Sequence, residues 1–142
     1  MLIAFRFGDT RALSRFICWW QDSDASHCEC VIRRVADNFE CVSASWVDGG
    51  VRRKVMPLAA EKWRIYEMPG STKKAAAWAD LHEDERYDLL GLLGFVFRRV
   101  KGWLKAWFCS EACADILGLR EPWRYDVATL ESVCAAVGRR VQ

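Results

Sequence analysis

Two side chains of this sequence are placed to suit covalent catalysis: Cys109, which opens a helical run, and His27, which opens a strand-like one. A cysteine nucleophile acts as its thiolate, and a helix N-terminus beside a base is a known way to lower a thiol's pKa. Cys109 precedes Ser110-Glu111-Ala112-Cys113-Ala114, a good helix former with an acidic residue in its first turn. Its sulfur is therefore expected to face unpaired backbone N–H groups, and the N–H groups around Ser110 can hold an oxyanion formed during acyl transfer. Free cysteine is also among the most buried residue types, and the residues alone leave that plainer reading of Cys109 open.

The chain has only two histidines. His82 lies in Asp80-Leu-His-Glu-Asp-Glu85, a charged helical stretch where a solvated surface residue is expected. His27 follows the polar turn Gln21-Asp-Ser-Asp-Ala-Ser26, so its ring is expected on rigid backbone at an accessible strand end. Glu29 shares its strand face at i+2, near enough to fix the imidazole, with a structural ion pair as the alternative.

The elements that must position these groups are legible from periodicity. Leu2 to Phe7 reads as a first strand, and Leu13, Phe16, Ile17 and Trp20 mark a helix from about 10 to 21 with Asp9 or Thr10 as its cap. A meander follows: His27 to Val35, a turn at Asp37-Asn38, Phe39 to Trp46, a turn at Asp48-Gly-Gly50, then Val51 to Leu58 and Trp63 to Met68. Pro69-Gly-Ser-Thr72 introduces a helix to about Glu85. Further helices are predicted over Tyr87 to Phe97, Phe108 to Leu117 ending at Gly118, and Val127 to Val137 ending at Gly138. Strands first and helices afterwards predict an α+β domain, and 142 residues fit one such domain, residues 1–142.

Three short motifs, in this order, resemble the circularly permuted NlpC/P60 group of papain-like proteins, which includes the YiiX-like and lecithin retinol acyltransferase-like families. Ser26-His-Cys-Glu-Cys-Val31 resembles the group's histidine strand, Tyr87-Asp-Leu-Leu-Gly91 its tyrosine-glycine helix, and Trp107-Phe-Cys-Ser-Glu111 its nucleophile helix start. Asp48-Gly-Gly-Val-Arg52 resembles the strand turn of phage and bacterial members. Histidine first and cysteine some eighty residues later is the permuted order, and the likeness runs over roughly residues 1 to 130. The resemblance implies a papain-like fold with an antiparallel meander of about four to six strands packed against helices. It implies His27 as general base, Cys109 as nucleophile and Tyr87 as a cleft residue near the oxyanion site. The third catalytic member, which in the group sits on the strand after the histidine, falls here among Val42-Ser-Ala-Ser45, so Ser43 is a candidate beside Glu29, with Glu40 a further option. The implied activity is a cysteine hydrolase or acyltransferase working through a thioester on an amide or ester, such as a peptidoglycan peptide or an acyl lipid. The alternatives are a silent binding module of the same fold and a cysteine-based metal or redox protein.

Composition narrows the classes. Twenty-one Lys and Arg against nineteen Asp and Glu, dispersed along the chain, give no basis for nucleic-acid binding. Seven cysteines, an odd number in a chain that can fold without staples, read as free thiols rather than a disulfide framework. Cys28-x-Cys30 and Cys109-x-x-x-Cys113 lack the usual spacing of a zinc site, so neither metal nor other cofactor is expected. Arg6 and Asp9 interrupt any leader-like apolar start, and the longest apolar run, Leu89 to Phe97, is too short to span a bilayer. A cytoplasmic monomer is expected. The basic aromatic stretch from Phe97 to Trp107 is a candidate for peripheral membrane contact.

Overall fold

Residues 1–88 and 106–142 are described by the computed structural model. Strand β1 (Leu2–Phe7) leads into helix α1 (Ala12–Gln21), and β2 (Ala25–Val35), β3 (Asn38–Ser45) and β4 (Gly50–Met56) follow as an antiparallel meander. Strand β5 (Trp63–Glu67) returns to the far side of β1, which makes β1 a central strand flanked by β2 and β5. Helix α2 (Thr72–His82) precedes the short strands β6 (Arg86–Tyr87) and β7 (Ala106–Trp107), after which come α3 (Cys109–Leu117), α4 (Val127–Val137) and β8 (Arg139–Arg140). The sheet order is β7-β6-β4-β3-β2-β1-β5-β8.

The α+β class holds, and the strand count of four to six is corrected to eight among the described residues. The three extra strands have two residues each, too short for alternation to reveal. Tyr87, expected to open a helix, lies in β6, because the pairing of Gly50 with Arg86 draws it onto the sheet. Asp88 is not helical either, and residues 89–97 of the expected helix and 97–105 of the basic aromatic stretch lie outside the described residues. The second turn also shifts: Ala36 and Asp37 form it, with Val35 facing Asn38 and Ala36 at φ 52°.

Alternation along the strands divides the interior. Ile3, Phe5, Cys28, Cys30, Val42 and Ala44 face the helices and pack with Ala79, Ala112, Cys113, Ile116 and Leu130. Ala4, Val31, Cys41, Leu58, Trp63 and Ile65 form a smaller cluster on the other face. Helix α2 starts at Ser71, whose hydroxyl accepts from the Lys73 N–H at 3.2 Å. It stops at His82, short of the expected Glu85, since Glu83 turns extended and Asp84 is left-handed. Neither Asp9 nor Thr10 is the cap of α1: Arg11 holds that position without a side-chain cap, while Asp9, two residues earlier, accepts from the Arg11 N–H and the Ser14 hydroxyl. Helix α3 ends at Gly118 (φ 79°), whose N–H returns to Ala114 and Asp115 carbonyls.

Candidate active site

Strand β2 is laddered to β1 from Ala25 onward but to β3 only from Cys30, so its first half has one side free of a strand partner. Ser26 is the extra residue between the Arg6–His27 and Phe7–Ala25 pairs, a bulge immediately before the histidine. Bulges of this kind re-aim the next side chain, and they gather beside functional sites. The N-terminus of α3 meets this open stretch. There Cys109 shares a buried cluster with Cys28, and it lies near enough to the His27 ring for the charge of each to shift the other's pKa.

The His27 Nε2 meets Glu29 Oε1 at 2.8 Å, which leaves Nδ1 as the ring nitrogen for the sulfur. His27 and Glu29 are therefore brought together as their i, i+2 spacing predicts, and Cys109 joins them from a distant part of the chain. Glu29 is fully buried, and both of its oxygens are taken by Arg52: Nη1 donates to Oε2 at 2.7 Å and Nη2 to Oε1. Arg52 also donates through Nε to Asp48 Oδ2 at 2.9 Å, and Lys54 closes the series on Asp48 Oδ1 at 3.1 Å. From Cys109 through His27, Glu29, Arg52 and Asp48 to Lys54, anion and cation alternate. A buried carboxylate that would otherwise be costly is thus paired on two sides.

Arg52 is the site residue that sequence reasoning missed. The signal was present, since Asp48 and Arg52 flank the Gly-Gly turn and a buried carboxylate at 29 requires a cation. Which cation could not be read off, because Arg52 stands on β4 and reaches across β3 to a residue on β2. Ser43 lies opposite Arg52 in the ladder, and its small side chain leaves room for that reach.

The protonation states follow from these contacts. A hydrogen bond from the Cys28 thiol is the largest influence on Cys109; against the cost of burial, it and the His27 charge draw the sulfur well below the ordinary thiol range. Burial alone would depress His27, but the charge and hydrogen bond of Cys109, followed by those of Glu29, raise it to about 10. Burial pushes Glu29 up, and the hydrogen bonds of Arg52 and His27 outweigh it, holding the carboxyl at about 2. Both shifts run in the direction that favours a proton on His27 and its loss from Cys109.

A cavity of about 320 Å³ adjoins the site, lined by His27, Glu29 and Tyr87 together with Ile17 of α1 and the indoles of Trp46 and Trp63. Cys109 keeps 4% of its surface exposed. The Tyr87 ring packs on Trp46 with centroids 6.2 Å apart, and the nearby Cys109 and Cys28 sulfurs add to burial in raising its hydroxyl pKa. Position 50 must be glycine here: a Cβ would stand 2.1 Å from the Glu85 carbonyl oxygen, which accepts the Val51 N–H at 2.8 Å. Tyr87 in turn pairs with Trp107, two residues before Cys109, so the β6–β7 contact brings Tyr87 and the start of α3 close together. No side chain caps α3 at Phe108, which leaves the first-turn N–H groups at Cys109 and Ser110 for an oxyanion. Ser110 itself is 1% exposed, and its Oγ has no partner among the described residues.

Other expectations are redirected. Ser43, the alternative third member, donates its hydroxyl to the Cys28 carbonyl at 2.7 Å and so supports the strand rather than the imidazole. Glu40 is engaged by Arg33 and Arg53. His82 is only partly exposed: its ring lies tilted against Trp78 at 4.4 Å and edge-on to Trp107 at 4.9 Å, and its Nδ1 meets Glu85 at 2.8 Å. Trp107, the end of the stretch considered for membrane contact, is held in this aromatic cluster and donates to Glu85. Glu111 accepts the Phe108 N–H, but burial raises its carboxyl to about 7, so it is more than an acid placed for the helix dipole. Cys28, Cys30, Cys41, Cys113 and Cys134 are buried as free thiols, and among the described residues no group of three His, Cys, Asp or Glu side chains is arranged to hold a metal ion. None of the described helices is long and apolar enough to cross a membrane.

Comparison with protein-family models, with curated proteins and with solved structures finds no match for this chain.

Proposed function

We propose that this chain is a papain-like cysteine hydrolase or acyltransferase that works through a thioester, with Cys109 as nucleophile, His27 as acid and base, and Glu29 as the residue that orients the imidazole. The observation that carries this reading is the convergence of Cys109, His27 and Glu29 at the uncapped N-terminus of α3, beside a cavity. Nucleophile, base and orienting group in hydrogen-bonded series is the arrangement that acyl transfer by thiols requires.

The thiolate attacks the carbonyl carbon of an amide or ester, and the α3 N–H groups accept the charge that develops on the carbonyl oxygen. The His27 imidazolium then gives its proton to the departing amine or alcohol, leaving an acyl group on Cys109. Water or a second acceptor attacks the thioester, with neutral His27 taking the proton. Glu29 holds Nε2 throughout, and Arg52 keeps Glu29 ionised. The cavity sets Trp46, Trp63 and Ile17 against Arg6 and Lys54, a lining that suits an acyl group with apolar and polar parts, such as a cell-wall peptide or an acyl lipid.

The test is alkylation with iodoacetamide at neutral pH followed by peptide mass analysis, together with exposure to an activated acyl ester. Cys109 is expected to label ahead of the other six thiols, His27→Ala to slow it, and the ester to leave an acyl adduct on Cys109. Equal labelling of all thiols, as a silent binding module of the same fold would give, refutes the proposal.

A further inference from the structure

The exposed aromatic side chains among the described residues lie on two elements. Phe16, Trp19 and Trp20 of α1 are 53%, 73% and 43% exposed, and their rings run in series, Phe16 to Trp19 at 6.0 Å and Trp19 to Trp20 at 6.1 Å between centroids. Trp46 and Val47, at the turn that follows β3, are also exposed. Both elements line the cavity described above, α1 through Leu13, Ser14 and Ile17 and the turn through Trp46 and Val47. A single exposed apolar residue needs no explanation, but a cluster of rings bordering a cavity marks a surface that something covers.

Charge indicates what covers it. Helix α1 contains no carboxylate; its one charged residue, Arg15, is exposed, as is Arg11 just before it. Asp9 meets Arg11 at 2.6 Å and Arg6 at 3.6 Å, and Asp48 meets Arg52 at 2.9 Å and Lys54 at 3.1 Å. Asp9, Glu29 and Asp48 thus balance only part of the charge of Arg6, Arg11, Arg52 and Lys54, and Arg15 adds to the excess. Counting Asp22 beyond the helix end still leaves this face positive. Indoles are apolar bodies with one N–H donor and settle at the headgroup level of a bilayer, where guanidinium groups find phosphate.

We propose that α1 and the turn at Trp46-Val47 form a docking surface for an anionic lipid bilayer. Phe16, Trp19 and Trp20 enter the interface, and Arg11 and Arg15 meet headgroup phosphates. Docking on this face turns the cavity toward the lipid. The surface is independent of the chemistry assigned to Cys109.

The experiment is co-sedimentation of the full chain with vesicles of phosphatidylcholine mixed with phosphatidylglycerol, and with vesicles of phosphatidylcholine alone, circular dichroism serving as the check of fold. The wild type is expected to bind the mixed vesicles more tightly than the neutral ones. The exposed double variant Phe16→Ser/Trp19→Ser is expected to weaken binding by about tenfold or more, and Val47→Ser by about threefold, through lost apolar contact. Arg15→Gln is expected to cost about fivefold on the mixed vesicles alone. Leu81→Ser, an exposed apolar position on α2 outside the cavity lining, is expected to leave binding unchanged. No binding by the wild type, equal binding to both vesicles, or an unweakened folded double variant overturns the proposal. Self-association of the wild type that the double variant abolishes, read by sedimentation without vesicles, makes a second copy the occupant and also overturns it.

Discussion

The guanidinium of Arg52 holds both carboxylate oxygens of Glu29 from two strands away, and one of those oxygens is also the partner of the His27 ring. The orientation of the imidazole is therefore fixed by the sheet register: β4 must align on β3 and β3 on β2 for the fork to reach its target. Breaking this pair leaves an uncompensated buried charge. Glu29→Gln and Arg52→Ala are each expected to lower stability by about 3 kcal/mol in urea unfolding, while the double replacement costs less than the sum. Arg52→Lys is expected to fall between wild type and Arg52→Ala, since an ammonium cannot reproduce the two-pronged contact.

Stability should depend on pH through the same groups. Glu29 is depressed from 4.5 to about 2, so its contribution is complete above pH 4.5 and is lost as pH falls through 2. His27 is raised from 6.5 to about 10, so its contribution is complete below pH 6.5 and is lost as pH rises through 10. Thermal unfolding across pH should accordingly give a wild-type curve that falls at both ends. His27→Ala is expected to flatten the alkaline limb and Glu29→Gln the acid one.

Glu111 works against the fold at neutral pH. Its carboxyl is raised from 4.5 to about 7, mainly by burial, with Asp88 and Asp115 adding to the repulsion. A raised value means a contribution present below pH 4.5 and lost as pH rises through 7. Glu111→Gln keeps an oxygen for the Phe108 N–H and removes the charge. It is expected to add about 2 kcal/mol at pH 8 and almost nothing at pH 4, as read by urea midpoints at the two pH values.

Gly50→Ala tests how Tyr87 is placed. With a Cβ 2.1 Å from the Glu85 oxygen, the β4–β6 pairing has to shift, and backbone cannot yield as a flexible side chain would. The expected cost is about 2 to 3 kcal/mol, measured by urea unfolding, together with a changed Tyr87 environment in near-ultraviolet circular dichroism. Gly49→Ala, at φ 86° but with open space around it, should cost only about 1 kcal/mol through backbone strain.

The candidate site was legible wherever local pattern carries it. A cysteine before a strong helix, a histidine after a polar turn, and a carboxylate two residues along the same strand can all be found by reading neighbours, and all three come together. Ser43, the alternative to Glu29, is engaged by the Cys28 carbonyl, because a strand position says which face a hydroxyl is on but not which acceptor it meets. His82 was misassigned for a related reason: a charged segment looks solvated until Trp107, from twenty-five residues downstream, closes over it.

The sequence by itself determined the α+β class, the principal strands and helices, and the cysteine and histidine of the candidate site, because period, caps and turn residues act over a few neighbours. Tertiary structure decided the rest: the eight-stranded order, the stretch of β2 left without a β3 partner, and the choice of Arg52 as the partner of Glu29. Those contacts join residues far apart in the chain, and their strength depends on burial and charge pairing, which exist only once the sheet has closed around them.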